Sequence, residues 1–567
     1  MKIFFNIIFV FNITISLNSQ FINLNESSII ENIRDNQLLG NIKSNISFSS
    51  QLISFANFNS DELKKLQLDK YSPSIFKFYD GQIDFKILPI DYNIEFNSNH
   101  PYNRNNGTMI PNRGYQHIFS LGIYTKIGPL NITIKPEHHY AENKIFDGFW
   151  EDHRDVIWER RYLLWNRIDL PERHGSKRHN DVFIGQSSIS LNFKNLSLGI
   201  SNENLWWGPS IRNSIMMSNH SRGFKHIKFK TIKPIETKIG SFEWELISAR
   251  LENSGHKPSG FDRTNAGRPI YIPKINQILE TDDWRYMQAL MLSYSPKWIE
   301  GFSIGYMRWA QFYSALVEGK YTWMSGNTNY FPIFSNLFRK NDQNVSHEEQ
   351  TDQAAGLFFR WLWKESNAEI YTEYHFNDSK VNFRDLLLDS RHARAFTIGL
   401  QKIFKKNSLK LSFEWTQMEQ SGGRLLRDAG SWYAHMFVYD GFTNRGEVIG
   451  SGIGPGSNSQ YISITKIKER SKLSLGIEII HHDNDFYYMA FENSKDFRRY
   501  WKDYNINLKY QRRFKNIYAS LDMFFVRSLN YQWGLEESAT NYYVPGIDKN
   551  NFHSSLKLIY QIPLDKL

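Results

Sequence analysis

Two stretches of the sequence gather side chains able to grip a sugar. The first carries Trp150, Trp158, Arg160, Arg161, Trp165 and Arg167. The second, ENLWWGPSIRNSIMMSNHSRGF at 203–224, carries Trp206, Trp207, Arg212, His220 and Arg222. Aromatic rings lie against the C–H faces of sugars, and arginine offers a rigid fork of donors to hydroxyls or to a sugar carboxylate. We take Trp206, Trp207, Arg212, His220, Arg222, Trp158, Arg160 and Arg161 as the candidate polysaccharide-binding residues. The same types also have structural uses, since rings form interfacial girdles and arginines cement polar interiors.

Signals for bond-breaking chemistry are missing. There is no G-x-S-x-G elbow, H-E-x-x-H, phosphate loop or EF-hand spacing, and the absence of cysteine removes thiolate nucleophiles, thiolate metal sites and disulfides. His138-His139 and His481-His482 are adjacent pairs on strands, so the two rings of each pair point to opposite faces and suit no shared metal. The expectation is a protein with no catalytic residue, no metal and no cofactor.

The elements that must position these residues are strands. In LKLSFEW, Leu409, Leu411, Phe413 and Trp415 share one face while Lys410, Ser412 and Glu414 share the other. AEIYTEYHF sets Ile370, Thr372, Tyr374 and Phe376 against Glu369, Tyr371, Glu373 and His375. YNINLKY and FEWELIS read the same way, and Glu243 and Glu245 on the latter are expected to meet lysines or arginines. About eighteen such segments follow one another from about residue 81. Short turns (Gly128-Pro129, Lys405 to Asn407, Glu469-Arg470) alternate with long polar connections near 141–181, 253–284, 313–351, 420–431, 484–502 and 529–550. One apolar and one polar face per strand, with long connections on one side only, is the pattern of a transmembrane outer-membrane β-barrel. A propeller would need a repeat of about 40–50 residues, and none is found.

Composition agrees. Aromatics make up 16 % of 567 residues, although mean hydropathy is −0.51. No apolar run long enough for a membrane helix follows the first twenty residues, which says nothing against strands. Residues 1–19 (Lys2, then the apolar run Ile3 to Leu17) read as a secretory signal cleaved before Gln20. Export turns the net charge of +10 away from nucleic acid and toward glycan, lipid headgroups or lipopolysaccharide phosphates. Residues 20–80 are expected as an N-terminal periplasmic segment. It holds one helix around Ile30, Ile33 and Leu38 that ends at Gly40, and a second short one from Asp61 capped by Ser60. Residues 81–567 are expected as the barrel.

The stretch ENLWWGPSIRNSIMMSNHSRGFKHIKFKT, running on into GSFEWELISARLENSG, resembles the Wzi family of outer-membrane capsule-assembly proteins in its Bacteroidetes form. HPYNRNNGTMIPNRGYQ, IDLPER, GQSSISLNF, DWRYMQALMLSYSPKW, DQAAGLFFRWLW and GFTNRGEVIGSGIGPGSNSQY agree in order along the chain. The resemblance implies a barrel of about eighteen antiparallel strands with a small helical element. It also implies a lectin-like role, attaching exported capsular polysaccharide to the cell surface. The implied partners are that polysaccharide, outer-membrane lipid and lipopolysaccharide, and the capsule export machinery. The alternative is a porin-like channel for solutes or glycan. Three features depart from the family pattern: Ser210 replaces a glycine, the helical part is short, and the final strand carries Tyr560 inside the chain end. From its Gly-Pro break, 203–224 is expected as a non-regular segment folded into the lumen and wedged there by its rings, because lipid tolerates no unpaired backbone.

Overall fold

Period-two patterning is visible first as an inversion of burial. In YNINLKY, Ile506 is 54 % exposed while Asn505 is 1 %, and in AEIYTEYHF the buried set is Glu369, Tyr371, Glu373 and His375. Ile189, Leu191, Ile464, Leu475 and Phe525 likewise face outward. A wall that shows its apolar side and hides its polar side is built for lipid. A computed structural model of the chain describes residues 20–272, 284–317, 333, 351–377, 383–420, 429–491, 497–535 and 546–563. The signal sequence, and parts of the long connections expected near 253–284, 313–351, 420–431, 484–502 and 529–550, lie outside these residues.

Among the described residues, eighteen antiparallel strands form the wall when five interrupted ones are each counted once and the short strand Ser74–Phe78 is set apart. The first runs through Ile83–Ile87 and Ile90–Asn97. The last, Lys549–Tyr560, pairs back onto it from His553 opposite Asn97 to Tyr560 opposite Ile90, which closes the barrel, and Ser74–Phe78 adds a short strand antiparallel to Ile83–Ile87 beside the seam. Four of the interruptions fall side by side in the first four strands, at 88–89, 121–122, 135–136 and 184–187. Pro89 and Pro136 lack a ladder donor there, and Gly185 sits at φ +61 with the Lys135 carbonyl packed against it. Turns at 128–129, 194–195, 405–408, 469–470 and 515–516 lie at one rim, and the long connections leave the other.

The interior is filled by the chain itself. Residues 20–72, most of the 20–80 stretch expected as a periplasmic segment, are inserted into the short-turn end of the barrel. Helix α1, Ser27–Leu38, ends at Gly40 with φ +73. Around it, Arg34 meets Glu369 at 2.7 Å, Asp35 meets Lys410 at 2.8 Å and also Lys472, and Glu31 meets Lys509 at 2.9 Å. Glu26, just before the helix, meets Lys135 at 2.9 Å. These partners stand on strands right round the wall. Helix α2, Ser60–Lys65, is capped by Asn59 rather than Ser60. The Asn59 side chain accepts from the Glu62 amide and Glu62 reaches back to the Asn59 amide, so Ser60 is already the first helical residue.

The inward face is not polar throughout. Met287, Ala289, Met291, Met307 and Trp309 face inward and are buried against Trp207, Ile215, Met217 and Phe442 in one cluster. Phe442 stacks on Trp309 at 3.9 Å between ring centroids. Inward folding of the connections excludes water from this side, so it packs like a soluble core.

Candidate functional site

Three connections from the long-loop rim turn down into the lumen, two of them held by carboxylates on the wall and the third by its neighbours. In 202–225 the backbone leaves regular structure where the strand ends at Ser201, turns at Gly208 (φ +97) and Pro209, and the freed amides there find wall acids. Glu414 accepts from the Ile211 and Asn213 amides at 2.7 and 2.8 Å, Glu373 from the Ser210 amide at 3.1 Å, and Glu245 from Trp207 Nε1 at 2.9 Å. Trp207 also bridges Ser50 on the inserted segment and Met217 on its own loop. The expected wedge is therefore what the segment forms. In 98–113, Asn106 donates to Glu95 at 2.9 Å, Thr108 donates to Glu137, and Arg104 reaches Glu478 at 2.8 Å. In 429–457, Tyr433 donates to the Ile215 carbonyl at 2.8 Å. Glu243 accepts from Ser47 and Ser49, and only Glu245 of the two expected acids meets a cation, Lys230 at 3.1 Å.

Among the described residues two cavities stand out beside smaller ones of about 30 Å³. The lower one, about 270 Å³, lies between α1 and the wall and is lined by Glu31, Arg34, Asp35, Lys410, Lys509, Asp522 and Lys557 among others. The outer one, about 250 Å³, lies among the loops and is lined by Trp165, Trp501, Tyr531 and Trp533 with Arg161, Glu172, His220, His482 and Asp503. Tyr102 and Arg104 line both and form the partition. In the outer pocket, Trp501 stacks on His482 at 3.9 Å and meets Trp533 edge-on at 5.2 Å. The Arg161 guanidinium lies 5.5 Å from the Trp165 ring and 5.8 Å from Trp533.

The eight candidates separate. Arg161 and His220 line the outer pocket. Trp206 and Arg212 line the lower cavity, where Arg212 pairs with Glu478 at 2.9 Å and lies 3.9 Å over Tyr461. Burial opposes that charge, yet Glu478 raises the Arg212 pKa further above its ordinary value. Trp207 is 0 % exposed and bonded to Glu245, so it is a structural wedge and offers no face to a sugar. Trp158 is buried under Gly260, whose Cβ position lies 3.1 Å from the indole, and is likewise closed to a sugar. Arg222 is half-buried over the Phe183 ring at 3.7 Å. Arg160 is exposed. Burial, seconded by the Arg104 charge, pushes the His220 imidazole down to about 4, so it is neutral at physiological pH.

Sequence reasoning passed over Tyr102, Arg104, Trp501, Tyr531, Gln532 and Trp533. They come from three loops more than 400 residues apart at the extremes, and no spacing joins them; HPYNRNNG and YWKD are the ring-and-charge mixtures that mark them. His138 bonds Asn180 on the outer side while His139 is buried inside, so that pair is split as its strand position requires. Among the described residues, no group of three His, Cys, Asp or Glu side chains is placed to hold a metal ion.

The sequence pattern of the family described as capsule assembly protein Wzi matches residues 102–511. No curated protein matches the chain in sequence. Among solved structures, the barrel is similar to Escherichia coli Wzi, an outer-membrane, carbohydrate-binding β-barrel involved in group 1 capsule assembly. The TM-score is 0.58 at 10 % identity, over 95 % of this chain and 98 % of that one. Pseudomonas aeruginosa OpdQ matches at TM-score 0.38 and 9 % identity over 85 % and 98 %, and Acinetobacter baumannii OccAB1 at 0.38 and 8 % over 86 % and 98 %. The family pattern covers most of a barrel closed and plugged by its own chain, and the chain belongs to the Wzi family of capsule assembly proteins.

Proposed function

We propose that this protein sits in the outer membrane and holds exported capsular polysaccharide at the cell surface without cleaving it. The observation that carries the reading is the outer pocket. It stands on the long-loop side, and its half-buried Trp165 and Trp501 offer ring faces to sugar C–H groups. The solved relative is itself carbohydrate-binding, and a shared family makes the same ligand class the economical assignment. The inserted residues 20–72 and the three inward loops occupy the lumen section that a porin would leave open. The lipid-facing belt meets outer-membrane lipid, lipopolysaccharide included, and the export machinery supplies the glycan.

The test compares cell-bound with released polysaccharide in strains with and without the gene. Deletion is expected to move glycan from the cell surface to the medium. Unchanged retention would sink the reading, and steady large conductance of the purified protein in planar bilayers would turn it toward a channel.

A further inference from the structure

We infer that the outer pocket recognises an uncharged sugar residue of the glycan, although the chain as a whole is basic. The inference rests on the glycan-holding reading and names the chemistry of the part that is gripped.

The arginines at the pocket already have carboxylate partners. Arg161 pairs with Glu172 at 3.2 Å, Arg104 with Glu478 at 2.8 Å, and Asp503 with His482 at 2.8 Å. Asp503 also accepts from Trp501 Nε1 at 3.2 Å. His220 lacks a charge to offer, being buried and neutral. A sugar carboxylate entering here would lose its hydration and either go without a counterion or displace Glu172 or Glu478 from an arginine, both of them costly.

What the pocket does offer is hydrogen-bonding capacity, most of it on neutral groups. Trp533 Nε1, Asn103 Oδ1, Gln532 Oε1 and His220 Nδ1, with Nε of the paired Arg161 guanidinium, are buried with no hydrogen-bond partner among the described residues. Trp533, Gln532 and His220 are each more than nine-tenths buried. Two of these atoms are donors, two are acceptors, and the histidine nitrogen serves as either according to its tautomer. A hydroxyl is at once donor and acceptor, so a ring bearing several of them matches this mixture, whereas a carboxylate only accepts. Buried polar atoms left without partners carry a standing penalty that a hydroxylated ligand relieves. The pocket, about 250 Å³, falls just below the ~300–1,000 Å³ of small-molecule sites, a size for a short stretch of chain rather than a long one.

The exposed positive charge lies outside the pocket lining. Lys405, Lys406, Lys468, Arg470, Arg512 and Lys515 stand exposed at or beside the short turns, the rim opposite the pocket, and those on the long loops, such as Arg160, Lys177 and Arg178, do not line it. The net charge is thus no guide to the glycan's sign.

The experiment uses the purified full-length barrel in detergent. The cells' own surface polysaccharide is partially hydrolysed and separated by anion exchange into neutral and acidic oligosaccharides, and each fraction is titrated calorimetrically. The neutral fraction is expected to bind, with Kd changing less than about two-fold between roughly 50 and 500 mM salt, a range over which charge–charge attraction is strongly screened. Trp533→Phe keeps a ring but deletes one donor, and is expected to weaken binding about ten-fold, with heat-modifiable gel mobility reporting that the barrel still forms. Binding confined to the acidic fraction, or a Kd that climbs steeply with salt in the unaltered protein, overturns the inference while leaving glycan retention intact. If neither fraction binds and the gene deletion also leaves retention unchanged, the glycan-holding reading itself fails.

Discussion

The lower cavity and the outer pocket are nearly equal in volume and share Tyr102 and Arg104 as a common wall, yet they are made of opposite materials. Below, lysines on the strands face acids on α1, Arg34 on α1 faces Glu369 on the wall, and these ion pairs tie the inserted helix to the barrel. Above, indole rings and neutral polar atoms predominate, and the few charges are spent on one another. The difference teaches what each space is for. Charges desolvated in a closed interior fix one arrangement of two parts of the same chain, because either partner alone would be expensive. Rings and unpartnered neutral atoms leave a place that something else completes.

The strongest way to break this comparison is to strip a charge from the lower cavity. Asp35 is buried and holds both Lys410 and Lys472. Asp35→Ala leaves Lys410 and Lys472 to share Glu31, which Lys509 already holds, and is expected to cost about 3 kcal/mol, the low end for breaking a buried pair. The loss should be read as a lower unfolding temperature of the barrel in detergent and faster proteolysis of residues 20–72, with glycan affinity of the folded fraction unchanged. An equal loss of glycan affinity would mean that the two spaces act as one.

Trp207→Phe is the next largest. The ring volume is largely kept, but Glu245 loses the indole donor at 2.9 Å. A hydrogen bond to a buried carboxylate makes that worth about 2 kcal/mol. Unfolding temperature should fall and glycan binding should not. A selective loss of binding would return Trp207 to the ligand site.

Acid should separate the two spaces in order. The His220 imidazole is held below its ordinary 6.5, at about 4, by burial and by Arg104. Its contribution to stability is complete above 6.5 and is lost as pH falls from there toward 4, because the unfolded chain takes up the proton first. Burial alone would raise the Glu31 carboxyl, but Lys509, Lys410 and Lys472 overturn that and hold it well below its ordinary 4.5. Its contribution is complete above 4.5 and fades only below. Amide exchange in the outer loops is therefore expected to quicken between pH 6.5 and 4.5, before exchange in α1 does. Simultaneous quickening would break the comparison.

The wall was legible because a strand's alternation is written in consecutive residues: AEIYTEYHF states its lumen side and its lipid side by itself. The wedge at 203–224 was legible for a related reason, since a Gly-Pro break between two lipid-facing strands leaves backbone groups that only the protein interior can satisfy. The outer pocket was not. Tyr102, Trp165, Trp501 and Trp533 meet only because four loops fold inward, and their partners lie far off, as Arg104 does from Glu478. The apolar half of the lumen was hidden too: Met287, Ala289 and Met291 look like one face of any strand until Trp207 and Met217 are known to cover them.

Arg160 and Arg161 bring that limit to a single peptide bond. Both belong to the helix Asp155–Trp165, and the sequence treats them alike. Successive residues on a helix point about 100° apart, so Arg161 turns to Glu172 and the Trp165 and Trp533 rings while Arg160 faces solvent. Arg161→Ala removes a pocket donor and strands Glu172, and is expected to weaken glycan binding about ten-fold. Arg160→Ala touches nothing buried and is expected to leave affinity within about two-fold and stability within ~0.5 kcal/mol. Titration of the two variants against the same oligosaccharide fraction reads the difference directly. If they fall together, a general basic surface attracts the glycan and the pocket has no privileged part in holding it; if only Arg161 matters, the glycan is held inside the ring of indoles.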